Sequence, residues 1–284
     1  MAIKIPVAGT NLNWGAGASW VGGTAPETGD FVQFEEGKTY YYTSGLDQST
    51  VDLAGMVIPP LADVGFAGSL EIDISNGASA FLAVQGIGNL AFIGDIDSVI
   101  CTSGRASVSI NGGAVPLVQV VAGTVQLGNT TTLTRVHTSR TGSAIIDANA
   151  STRVAVVRCF GGTIESHRSI EDAIISGQVT LKSAATITDG STGGTARIVR
   201  GTLRYAGTAT AGNAIELLGG TFDASRHQAA LTIATLTIDR TSSTVSRSAP
   251  GAALVFTATT DLTPTYLTSI SSMQQQQNTL GSGA

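Results

Sequence analysis

The chain has 284 residues, 42% of them hydrophobic, 12% charged and 5% aromatic, with a formal net charge of −5 at pH 7. That length can bury a large core, and the aliphatic content excludes a disordered chain, which would be poor in apolar side chains and rich in charge. No stretch reaches the roughly 20 apolar residues of a membrane helix, and the opening Met1-Ala2-Ile3-Lys4 lacks an apolar run of secretion-signal length, so assembly in a cytoplasm is expected.

Glycine is abundant (35 residues) and proline scarce (7). Ala, Val, Ile and Leu supply most of the apolar content, among dense Thr and Ser, which is the composition of strands punctuated by glycine turns. The mean hydropathy of +0.24 implies either an unusually long core or surface covered by a partner. Charge is uneven. Residues 1–100 hold two bases and eleven acids (2 − 11 = −9), and residues 101–284 hold thirteen bases and nine acids (13 − 9 = +4). The arginines are scattered singly with no interleaved aromatics, so nucleic-acid binding is not expected.

Residues 1–45 carry both tryptophans, Trp14 and Trp20, and the run Tyr40, Tyr41 and Tyr42. The strand repeat that follows them has an end that must be capped against edge pairing, and these aromatics are expected to form that cap. They are also the candidate partner contacts, because Trp and Tyr dominate interface hot spots.

Residues 46–245 repeat. Glycine-led steps recur at Gly68, Gly86, Gly104, Gly123, Gly142, Gly162, Gly201 and Gly220, spaced 18, 18, 19, 19, 20, 39 and 19 residues apart. The interval of 39 reads as two turns, with Gly177 an out-of-phase marker between them. The second residue after each glycine is usually apolar (Ala106, Val125, Ala144, Ile164, Leu203, Phe222) and the third usually polar, the alternation of a half-buried strand. A unit of about 19 residues is too short for a crossover helix and suits one turn of a solenoid. The expected fold is therefore all-β, a right-handed parallel β-helix of nine or ten coils. Cys101 and Cys159 each lie three residues before a repeat glycine, three turns or about 14 Å apart. A disulfide needs Cα atoms within about 7 Å, so both thiols are expected free and inward. Residues 246–284 lose the repeat. Val255–Thr259 is a candidate strand, and the stretch through Gln274-Gln275-Gln276-Gln277 an arm and mobile tail.

Little reads as chemistry. His137, His167 and His227 show no metal-ligand spacing, and the cysteines no C-x-x-C. Glu165 and Asp223 share a repeat phase but lie three turns apart, about 14 Å against the roughly 5–9.5 Å of glycoside hydrolysis. Arg204 and Asp223, one turn apart, are expected to form a surface ion pair. Asp95 with Asp97, and Glu71 with Asp73, are i, i+2 acid pairs expected on strand faces. No enzyme, cofactor or metal is expected.

The N-terminal texture adds a resemblance. Asn13-Trp14, Trp20-Val21-Gly22-Gly23, Ala25-Pro26-Glu27-Thr28-Gly29-Asp30 and the strand from Phe31 resemble the openings of parallel β-helix proteins, among them autotransporter passengers and tailed-phage structural proteins. Leu46–Leu53 and Gly65–Leu70 resemble the phage virion proteins. Autotransporters and secreted adhesins are disfavoured by the missing signal and terminal barrel. The resemblance implies a non-enzymatic capsid cement or decoration protein of the virion. It would be homotrimeric, would contact the major capsid protein, and would touch neither nucleic acid nor membrane. The alternative it implies is a tailspike or head-fibre protein that binds, or cleaves, host surface polysaccharide.

Overall fold

A computed structural model describes residues 1–47, 51–67, 72–73, 81–128, 132–148, 153–191, 193–238, 243–246 and 253–261. The chain divides into two compact units, Met1–Thr134 with Arg140–Asp147, and Arg135–Ser139 with Ala148–Ala284. Each is a parallel β-solenoid, so the expected fold class holds.

In the first unit one sheet stacks Ile3–Lys4, Phe31–Gln33, Gly55–Ile58, Phe81–Val84, Ser98–Cys101 and Leu117–Val120, every pair parallel. A second stacks Ile72–Asp73, Gly88–Ile93, Ala106–Asn111, Thr124–Gly128 and Ser143–Ile146. A third joins Gly9–Asn13, Thr39–Ser44 and Asp63–Phe66. Alternation aims every second side chain inward, and register aligns those side chains into columns. Val32, Met56, Leu82, Val99 and Val118 form one; Leu90, Val108, Val125 and Ala144 form another. All nine are buried, and each fully buried aliphatic side chain stabilises by about 1.5–3 kcal/mol.

The second unit repeats the plan. One sheet runs Arg135–Thr138, Val154–Cys159, Ile170–Ile175, Thr195–Ile198, Ala211–Leu217, Leu231–Ile238 and Leu254–Asp261. The other runs Thr163–Ser166, Gln178–Leu181, Thr202–Tyr205, Gly220–Asp223 and Ser243–Ser246. Inside, Ile164, Val179, Leu203, Phe222 and Val245 form one buried column.

Register corrects the repeat phase in two places. Thr163 pairs with Gln178 and Gln178 with Thr202, so Gly177 is in phase. The turns on either side of it differ in length (178 − 163 = 15 and 202 − 178 = 24 residues), because the longer one carries extra loop at 182–194. Ser107 pairs with Thr124, so Ala106, not Gly104, stands opposite Gly123, and Val108 takes the inward place beside Val125. Gly123 itself is required: its φ is +83°, and a Cβ there would lie 2.2 Å from the Ser103 carbonyl oxygen.

Residues 3–44 supply solenoid strands that pair in parallel with those of the next turn. Leu254–Asp261 likewise extends its sheet and contains the candidate strand Val255–Thr259, within the stretch expected to lose the repeat. Gly68–Glu71 and residues 262–284, with the four glutamines, lie outside the described residues. Cys101 and Cys159 are both free and buried, and burial raises both thiols above their ordinary pKa.

Candidate functional site

The five aromatic candidates divide. Trp14, Trp20, Tyr40 and Tyr42 are buried, none more than 2% exposed. Trp14 packs edge-on against Trp20, with centroids 4.9 Å apart, and tilts against Tyr42 at 5.1 Å; Phe66 follows Tyr42 at 6.1 Å and Phe92 follows Phe66 at 6.4 Å. The Trp20 indole donates to the Trp14 carbonyl at 2.7 Å, and the Glu35 N–H donates to the Tyr40 hydroxyl at 3.1 Å. These four rings fill the interior and leave no face for a partner. Tyr41, 39% exposed, alone points outward.

The Pro-Glu-Thr-Gly-Asp segment is a clasp. Asp30 accepts hydrogen bonds from the backbone N–H groups of Ala2 (2.8 Å) and Glu27 (3.2 Å) and lies 3.5 Å from the Lys4 ammonium. Burial raises its carboxyl pKa, but those donors outweigh burial and hold it below the usual range. The motif that carried the resemblance thus pins the chain start to the first turn.

The outer rows of the two units differ. In the first unit one row reads Ile3, Phe31, Gly55, Phe81, Ser98, Leu117, and the next Gln33, Val57, Ala83, Ile100, Gln119. Neither holds a charge. A Cβ on Gly55 would lie 2.8 Å from the Phe31 ring, so that ring takes the space a side chain at Gly55 would need. Ile3 is 60% exposed, while Phe31, Val57, Phe81, Ile100 and Leu117 are half-buried. Sequence alternation alone missed this face. Its signal is the near-continuous apolar run Phe81-Leu82-Ala83-Val84, which marks a strand apolar on both sides.

In the second unit the matching rows are charged. Asp172 lies 3.0 Å from Arg158 and 3.6 Å from Arg197, and Arg197 lies 2.8 Å from Glu216. Arg153 pairs with Glu171 at 3.2 Å. A shallow groove beside them is lined by Ala155, Val156, Glu171, Asp172, Thr195 and Arg197, with no aromatic ring. His137 is held below its ordinary pKa by burial, then by Arg158 and Arg135.

On the other sheet, Glu165, Thr180, Arg204 and Asp223 form one outward row. Glu165 and Asp223 are therefore three ladder steps apart, as expected. Arg204 and Asp223 meet at 2.8 Å. Ser225 donates to the same carboxylate through its N–H (2.9 Å) and hydroxyl (2.6 Å). Burial raises the Asp223 pKa, but the bonds from Ser225 and Arg204 outweigh it and leave the pKa depressed. Glu165 faces Lys182 at 3.6 Å and His167 at 3.5 Å. His227 is buried, its Nε2 2.7 Å from the Ala209 carbonyl oxygen. Asp95 and Asp97 sit in a turn rather than on a strand, around buried Ile96, and Asp95 accepts the Ala114 N–H at 2.5 Å. Glu71 lies outside the described residues.

Among the described residues no group of three His, Cys, Asp or Glu could hold a metal ion, and no helix is long and apolar enough to cross a membrane. No protein-family model, curated protein or solved structure matches the chain.

Proposed function

We propose that this protein is a non-enzymatic structural component of a tailed-phage virion, a capsid cement or decoration protein that acts as a homotrimer and bridges shell subunits. The observation that carries the reading is the chemistry of the outer rows. One unit presents an uncharged apolar face. In the other, the carboxylates of Glu165, Glu171, Asp172, Glu216 and Asp223 each lie against a cationic side chain. Such surfaces serve contact. A general acid needs a carboxyl whose pKa is raised, and Asp223 is shifted the other way. The N-terminal resemblance supports the virion setting.

The second reading, a tailspike or head-fibre protein acting on surface polysaccharide, would use the groove beside Glu171 and Asp172. It ranks lower because that groove offers no ring on which a sugar could stack.

The test is the copy number of this chain in purified particles, measured by quantitative mass spectrometry against the major capsid protein. A number comparable to the capsid protein is expected. A handful of copies would favour the second reading, and absence from the particle would remove both.

A further inference from the structure

We infer that the uncharged outer face of the first unit is the surface through which copies of this chain associate. The inference rests on the homotrimer in the reading above and names its interface.

Three observations select a second copy as the occupant. The first is charge. Residues 1–100 carry 2 − 11 = −9, so two copies repel wherever acidic faces meet. The face of Ile3, Phe31, Val57, Phe81, Ile100 and Leu117 holds no charge in either outward row, and like bodies can meet there without repulsion. A basic partner would be drawn to the acids elsewhere. The second is register. The outward rows run in unbroken register from Phe31–Gln33 to Leu117–Val120, one continuous uncharged strip that a second copy can meet along its length. Gln33 and Gln119, at the two ends of the second outward row, carry amides that both donate and accept, so a copy can satisfy a copy. The third is area. Five steps of about 4.8 Å by four residues of about 3.3 Å give a footprint of roughly 310 Å², with Ser98, Gln33 and Gln119 among its side chains. A stable interface takes about 800 Å² per partner, so the face supplies the apolar centre of a contact completed by polar rim, as when three copies converge on a common axis.

The test is sedimentation equilibrium on the full chain. The wild type is expected at three times the 28.8 kDa chain mass. The double variant Val57→Glu, Ile100→Glu is expected to sediment as a monomer, with a dissociation constant raised at least about a hundredfold by two carboxylates that association would bury unpaired. Its circular dichroism should match the wild type, and Ser109→Glu, on the outer row of the other sheet, should leave the trimer intact. If the double variant fails to fold, Ile100→Cys decides. This position should cross-link between copies with a short bis-maleimide, while native Cys101 and Cys159 are buried. A monomeric wild type overturns both this inference and the homotrimer, and assigns the face to another partner. A trimeric wild type whose folded double variant stays trimeric, or whose Ile100→Cys form gives no cross-link, overturns the inference alone.

Discussion

The two units share an inside and differ outside. Phe92 and Phe222 each lie fully buried within the columns of their units. Yet the outer rows of Gly55–Ile58 to Leu117–Val120 are uncharged and mostly apolar, and those of Val154–Cys159 to Ala211–Leu217 carry Asp172 in one row and Arg158, Arg197 and Glu216 in the other. In a solenoid the inward row answers to the neighbouring turn, while the outward row answers to solvent or a partner. One backbone plan can therefore carry two unlike surfaces.

The largest effects should be blind to the difference. Phe92→Ala and Phe222→Ala should each destabilise by about 3–5 kcal/mol in urea unfolding. If one were tolerated and the other not, the shared interior would be disproved. A smaller effect is expected at Tyr205, whose buried hydroxyl accepts the Ile187 N–H at 3.1 Å and lies 3.1 Å from the Thr186 hydroxyl. Burial pushes its phenol up to about 12. Tyr205→Phe would strand the Ile187 N–H and should cost about 1–3 kcal/mol, read by the same unfolding curves.

Acid should weaken both units, through different contacts. The Asp30 and Asp223 carboxyls are depressed below the ordinary value of 3.8. A group with a depressed folded pKa contributes stability that is present above its unfolded value and lost as pH falls through the folded one. The melting temperature should therefore gain nothing from either carboxylate's titration between pH 7 and 5, and should fall below about pH 4. Asp30→Asn together with Asp223→Asn should flatten that fall; an unchanged acid limb would show that neither carboxylate matters. The smallest effect belongs to the charged rows. Arg197→Gln, at a side chain 41% exposed, should cost under about 1 kcal/mol, and less still in high salt. A larger loss would mean that the ion pairs of the second unit act as one network.

Much of the fold was legible. Thr163-Ile164-Glu165, Thr202-Leu203-Arg204 and Thr221-Phe222-Asp223 each follow a glycine and alternate correctly, and stacking one on the next predicts the Arg204–Asp223 pair. Gly177 misled because ladder register counts strands, not residues, and loop length can change without moving a strand. The aromatics were harder to place. Nothing local distinguishes Tyr41, exposed, from Tyr40 and Tyr42, buried; only pairing with Asp63–Phe66 decides which way each points. The apolar outer face escaped notice because helix and strand periodicity search for one apolar side, and these strands have two.

Turn length has a practical consequence. Successive turns of the second unit span 15, 24, 19 and 23 residues (163 to 178, 178 to 202, 202 to 221, 221 to 244), while the ladder keeps its register. The corners thus take up length that the strands never feel. A foreign peptide spliced in at the exposed Gly190–Ser191 step, beyond the Thr186 and Ile187 contacts to Tyr205, would be carried on an unchanged scaffold, which makes that corner a natural place to graft an epitope for display.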